Sequence, residues 1–163
     1  DRHALLTTID RWVIGTSFAF IREHDPDIVF VKLSRESLGD GTLLDWLEKE
    51  IESTGIDPAK LCFRIAEEVI SRQLKQSRTL IDALISMGFK FAVEHFGIGR
   101  YPMKVVNSVP MHFLKIDGSL MQSISTNQAH QDSVQKFVDA ARHQGIATIA
   151  ELVENDNTLA VLF

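Results

Sequence analysis

Polar or ionisable side chains close five apolar runs in this 163-residue sequence: Lys32 and Ser34, Arg64 and Glu67, Glu94 and His95, Lys115 and Asp117, and Glu151 and Glu154. Brought to one place, they could do two kinds of chemistry. The carboxylates and the imidazole are donor atoms for a divalent cation, whereas Lys32, Arg64 and Lys115 are hydrogen-bond donors for an anion such as a phosphate, arginine through a bidentate contact. A plainer arrangement competes with both. Arg64 with Glu67, or Lys32 with Glu94, could pair across neighbouring strand ends, and His95 could be a hydrogen-bonded structural residue. Gly97 and Gly99 provide turn geometry, because Gly97-Ile98-Gly99-Arg100-Tyr101-Pro102 does not continue into a G-x-G-x-x-G phosphate cradle. Phe89, Phe91, Phe96 and Phe113 read as core. Glu48-Lys49-Glu50, Arg72-Gln73-Leu74-Lys75 and the stretch around Gln128-Ala129-His130-Gln131 read as solvated helix faces.

The elements that must position these groups form a repeating unit. Leu5, Leu6, Ile9, Trp12, Val13 and Thr16 recur at helical spacing before the Asp25-Pro26-Asp27 break and a β-branched run over 28–31. The unit returns with Leu43, Leu44, Leu47 and Ile51 before a strand over 61–65, then with a helix over 72–86 and a strand over 89–93. A short helix over 101–108 precedes a strand over 112–116, and a helix over 129–144 precedes a strand over 146–150 and a last helix after Asn155. Five near-continuously apolar strands alternating with helices predict an α/β fold with a parallel sheet covered by helices. An open doubly wound sheet would gather its site at one switch point. A TIM-like (β/α) barrel would gather all five strand ends at one mouth, which is the arrangement that five polar strand ends favour.

Composition narrows the function. With 45% apolar and 24% charged residues the sequence is that of an ordinary soluble globular domain. The 17 Lys+Arg against 22 Asp+Glu give a net charge of -5, so no broad basic footprint for DNA or RNA is present. The single cysteine, Cys62, lies in an apolar run, so it forms no intrachain disulfide, reads as a buried core thiol, and makes a reducing cytoplasm the expected compartment. No apolar stretch is expected to approach the ~20 residues of a spanning helix, and the N-terminus lacks the order of a signal peptide, so no membrane is expected.

The strand ends carry a family resemblance. Phe91-Ala92-Val93-Glu94-His95-Phe96-Gly97-Ile98-Gly99 resembles the D-D-F-G-T-G segment of bacterial EAL domains, Phe113-Leu114-Lys115-Ile116-Asp117 their L-K-I-D, and Ala150-Glu151-Leu152-Val153-Glu154 their A-E-G-V-E. Phe30-Val31-Lys32-Leu33-Ser34 resembles V-N-L-S, and Phe63-Arg64-Ile65-Ala66-Glu67 resembles E-I-T-E, in the same order and spacing. The resemblance implies a (β/α) barrel whose active members hydrolyse cyclic di-GMP with divalent metals. It also implies that the Asn and first Glu among the metal ligands have become Lys32 and Arg64, that the D-D pair is Glu94-His95, and that Lys115, Glu151 and Glu154 are retained.

Fixed cations do not ligate metals. The resemblance therefore implies no catalysis, no metal, and a receptor of the FimX type that binds cyclic di-GMP through Lys32, Ser34, Arg64, Glu94, Lys115, Glu151 and Glu154. Lys32 and Arg64 would meet phosphates, and Glu151 or Glu154 a guanine edge. A protein partner, of PilZ-adaptor type in type IV pilus or biofilm regulation, and pairing of two copies through helices near the D-D-F-G segment are further implications. The alternatives are a nucleotide-free interaction scaffold and a weak residual phosphodiesterase. Since a complete (β/α)₈ barrel takes about 250 residues, residues 1–163 are expected to be a partial domain lacking the N-terminal E-A-L strand and the C-terminal Q-G strand.

Overall fold

In the computed structural model, which describes residues 2–162, helices and strands alternate from end to end. They are α1 (Arg2–His24), β1 (Val29–Lys32), α2 (Leu43–Thr54), β2 (Leu61–Ala66), α3 (Glu67–Arg72), α4 (Leu74–Ser86), β3 (Lys90–Phe96), α5 (Pro102–Val106), β4 (Phe113–Ile116), α6 (Gly118–Gln122), α7 (Gln128–His143), β5 (Ala147–Ala150) and α8 (Asp156–Leu162). Tight 3-10 turns cover Arg35–Gly39 and Pro58–Lys60. Caps set several of these limits. The Asn127 side chain accepts from the N–H of His130 to start α7, the Asp117 side chain accepts from Ser119 to start α6, and Gly55 ends α2 in the left-handed region at φ 66°.

All strands are parallel, in the order β1-β2-β3-β4-β5. Each strand therefore pairs with the next in sequence and the order never reverses. With right-handed crossovers throughout, that order puts every helix on the same side of the sheet, as in a barrel wall, and leaves no switch point. The core fills the space between the sheet and the helices: Phe63, Phe89, Phe91, Ile65 and Val93 meet Ile14, Phe18, Leu47, Ile81 and Leu84. Phe89 stands 4.9 Å from Phe63 edge-on and 6.2 Å from Phe18. Cys62 is fully buried in β2, and burial pushes its thiol pKa up to about 12, as a core thiol requires.

The sequence pattern and the structure differ in four places. β3 continues three residues past the apolar run, because a bulge opposite β4 between Val93 and Phe96 lets Glu94 and His95 stay in the strand. The helix expected over 72–86 begins two residues later, as α4, and an unexpected short helix, α3, precedes it across a backbone turn at Gln73 with φ -132° and ψ 48°. The five-residue α6 was not expected, since its Gly118 start reads as a loop residue. Finally, the expectation that no segment reaches the length of a spanning helix is corrected: Ala4–His24, 21 residues, is long and apolar enough by length and composition. Asp10, Arg11 and Ser17 interrupt its apolar run without lowering its average enough. Ile14, Phe18 and Ile21 of this helix are buried in the core, while Leu5, Ile9, Trp12 and Phe20 are exposed.

One histidine couples this fold to pH. At the start of β4 the His112 ring Nδ1 accepts the Phe91 N–H at 3.1 Å, while the His112 N–H donates to the Phe91 carbonyl at 2.8 Å. Burial, then the charge of Lys90, lowers its pKa from the ordinary 6.5. A lowered folded-state pKa means that the neutral ring stabilises the fold: the contribution is complete above 6.5 and is lost as pH falls through the folded-state value. Thermal unfolding followed downward from neutral pH is expected to show this loss. In His112→Asn, whose carboxamide oxygen can accept the same N–H without titrating, the loss should shrink.

Candidate functional site

Two side-chain clusters stand at the C-terminal ends of the strands. Pairing register sets Lys32 of β1 beside Arg64 of β2, and Ala66 of β2 beside Glu94 of β3. The Glu94 carboxylate, only 1% exposed, is held from both sides: Arg64 donates to Oε2 at 2.6 Å, and the Lys32 ammonium lies 2.9 Å from Oε1. Burial pushes the Glu94 pKa up, but the Lys32 contact and the charges of Arg64, Lys32 and His95 outweigh it and hold the group below the ordinary carboxylate value. Two cations thus share one buried carboxylate. The Arg64 Nε is also buried and has no hydrogen-bond partner among the described residues.

The second cluster is tied to the first by the β3 bulge. His95 adopts φ 52°, a left-handed conformation for a non-glycine residue, and its Nδ1 lies 3.0 Å from Asp117 Oδ2 and 3.9 Å from Glu151 Oε2. Lys115 of β4 pairs with Glu151 at 2.8 Å. Burial raises the Asp117 pKa, while hydrogen bonds from Ser119 and His95 lower it further, so the carboxylate stays ionised below its ordinary value.

Supporting residues hold the rim. Asp10, buried in α1, accepts the N–H and hydroxyl of Ser34 at 2.8 and 2.6 Å and the hydroxyl of Ser37 at 2.6 Å. Ser34 is therefore anchored to α1. Glu67 accepts the Gly97 N–H at 2.7 Å and, 1% exposed, presses its other oxygen against Gly99; burial raises its pKa, with the Gly97 and Gly99 backbone opposing. Leu152, at φ 55°, packs its side chain over Gly118.

The structure brings Lys32, Arg64 and Glu94 into one contact network and Lys115 and Glu151 into a second. The anticipated Lys32–Glu94 ion pair forms; Arg64 pairs with Glu94 in place of Glu67, whose carboxylate is taken by the 97–99 turn. Glu154 follows β5 in an exposed stretch and makes no hydrogen bond or ion pair among the described residues. Two residues were missed as parts of the site. Asp10 falls in register with Ile14, Phe18 and Ile21 on the buried face of α1, a signal visible in the sequence as a carboxylate on an apolar stripe. Asp117 was noted as a strand-end residue, but its contact with His95 depends on the bulge, which no local pattern announces.

A pair of metal ions does not fit the first cluster, because Lys32 and Arg64 already occupy the oxygens of Glu94 and would repel a further cation. The second cluster has ligand atoms for one ion: His95, Asp117 and Glu151 offer one nitrogen and two oxygens within 4.8 Å of one another, with Lys115 competing for Glu151.

Comparison with known proteins places this geometry. The family model described as "EAL domain" matches residues 1–163. The FimX EAL domain of Pseudomonas aeruginosa, solved bound to c-di-GMP, is 31% identical, with a TM-score of 0.90 over 98% of this chain and 65% of that one. The FimX EAL domain of Xanthomonas citri, also a c-di-GMP complex, superposes with a TM-score of 0.90 at 22% identity, over 99% of this chain and 65% of that one, a likeness of fold. Among curated relatives, the cyclic di-GMP phosphodiesterase PdeB of Shewanella oneidensis is 26% identical over 98% of this chain and 19% of its own length. The cyclic di-GMP phosphodiesterase NbdA of Pseudomonas aeruginosa is 23% identical over 99% and 21%. The chain thus spans about a fifth to a quarter of the length of the curated relatives it matches.

Proposed function

Because the chain belongs to the EAL family, we propose that it is a receptor domain that binds cyclic di-GMP at the strand-end mouth without metal and without hydrolysing it. The observation that carries this reading is the shared carboxylate: Lys32 and Arg64 supply fixed positive charge where a phosphodiesterase needs metal ligands. In the bound state Arg64 and Lys32 swing part of their hydrogen bonding from Glu94 to one phosphate, Arg64 offering the Nε that has no internal partner. Lys115 meets the second phosphate, Glu151 or Glu154 accepts the N1–H and N2–H₂ of a guanine, and Ser34, fixed by Asp10, lines the rim. The 31% identity to a FimX EAL domain solved with c-di-GMP supports the ligand class.

The output is to a protein partner, of PilZ-adaptor type in type IV pilus or biofilm control as the FimX likeness suggests. Titration calorimetry with cyclic di-GMP in EDTA tests the reading: saturable binding is expected, and its absence would leave the nucleotide-free scaffold.

A second reading, residual phosphodiesterase activity, is favoured by one observation, the His95, Asp117 and Glu151 donor set. An ion bound there would polarise a phosphate oxygen and lower the pKa of a bound water. Linear dinucleotide formed in the presence of Mn²⁺ would promote that reading.

A further inference from the structure

A cationic groove lies between the loop that follows β3 and helix α7. Its volume is about 590 Å³, and its floor is the Gly97 backbone pressed against Phe137. Arg100, Tyr101 and Lys104 line one side, and Ser133 and Lys136, one turn apart on α7, line the other. Among the described residues no carboxylate lines it, although the whole chain carries a net charge of -5.

Elsewhere, among the described residues, eight of the fourteen Lys and Arg side chains pair with a carboxylate: Lys32 and Arg64 with Glu94, Arg11 with Asp40, Lys60 with Asp25, Arg72 with Glu68, Arg78 with Asp82, Lys115 with Glu151 and Arg142 with Asp139. Arg100, Lys104 and Lys136 are exposed, and none has an ion pair among the described residues. The Arg100 guanidinium stands 5.4 Å from the centroid of the Tyr101 ring, which is itself 65% exposed. One exposed aromatic ring is thus backed by arginine and flanked by two unpaired lysines on a single face. Tyrosine and arginine are the residue types that supply binding energy at protein interfaces, and unpaired lysines steer an oppositely charged partner.

We propose that this groove docks an acidic segment of a partner protein, with Arg100, Lys104 and Lys136 meeting its carboxylates and Tyr101 packing against an aromatic or aliphatic side chain among them. Charge complementarity selects the occupant, since a neutral or basic segment would leave three cations unmatched at the interface. The inference rests on the preceding reading only for the existence of a protein partner. It requires no dinucleotide, so it can fail or hold independently of ligand binding.

The test uses the full chain without cyclic di-GMP and a fluorescent synthetic peptide of alternating Asp and Glu around one Trp, read by anisotropy. Saturable binding that weakens with added salt is expected. The triple variant Arg100→Glu, Lys104→Glu, Lys136→Glu should weaken it by at least about tenfold. Reversal of Lys49 and Lys75, exposed helix lysines outside the groove, together with exposed Arg35 should leave it within about twofold. Tyr101→Ala, which changes no charge, should weaken binding by a few-fold, separating a shaped groove from diffuse attraction. Four results would overturn the proposal: no binding, equal loss in both charge-reversal triples, tighter binding of a single-stranded oligonucleotide of equal charge, or a groove triple that abolishes self-association of the chain while leaving the peptide bound. All exchanged residues are exposed, and circular dichroism with thermal unfolding verifies that each variant is folded.

Discussion

Glu94→Gln is expected to make the protein less stable and, at the same time, a better binder of cyclic di-GMP. The carboxylate is 1% exposed and holds Arg64 at 2.6 Å and Lys32 at 2.9 Å. Replacing it by an amide removes the charge that compensates both cations. Breaking a fully buried pair costs about 3–5 kcal/mol. Lys32 is 56% exposed and Arg64 30% exposed, so water recovers part of the loss and about 1–3 kcal/mol is the expected range. The same change frees both cations for a phosphate, which no longer competes with Glu94, and affinity should rise by about tenfold. Thermal unfolding with and without ligand, alongside calorimetry, reads both effects, and ligand should restore most of the lost stability. Affinity that falls together with stability would mean that Glu94 itself holds the ligand or a metal.

Gly97→Ala carries the other large effect, on stability. The residue sits at φ 102°, and a Cβ there would lie 2.7 Å from Phe137 Cε2 and 2.8 Å from Leu120 Cδ1, both on side chains packed in the core. Backbone strain and overpacking coincide, for an expected loss of about 2–4 kcal/mol. Gly145→Ala separates the two causes: φ is 69° there, but nothing lies within 4 Å of the added carbon. That variant should lose only about 1 kcal/mol. Denaturant unfolding of the pair measures the difference, and equal losses would show that the close approach at Phe137 relaxes freely.

The barrel wall was legible because its signals are local and redundant. Apolar runs bounded by Asp25-Pro26-Asp27, Gly55, Gly88 and Gly145 mark strands and helices wherever they fall, and five polar strand ends indicate one mouth. The family resemblance was carried by the same strand ends. What the sequence concealed is what tertiary geometry decides. Register set Arg64 beside Ala92, so that it reaches Glu94, two positions along β3, and not Glu67, the carboxylate nearest in sequence. The bulge after Val93 turned His95 towards Asp117, and neither residue alone announces that contact. Asp10 was overlooked because a helix read for its apolar stripe hides a carboxylate that falls on that stripe, although its two hydroxyl partners, Ser34 and the buried Ser37, give it a clear structural use. Helix α1 shows the reverse case, in which averaging across a few polar residues yields a segment apolar enough to span a membrane.

The central claim is that fixed cations at the mouth have replaced metal in binding cyclic di-GMP. The most direct measurement is paired titration calorimetry with cyclic di-GMP, once in EDTA and once with excess Mn²⁺, with both samples then chromatographed for linear dinucleotide. The account predicts the same affinity in the two titrations and intact cyclic dinucleotide in both. Binding that appears only with Mn²⁺, accompanied by linear product, would contradict it.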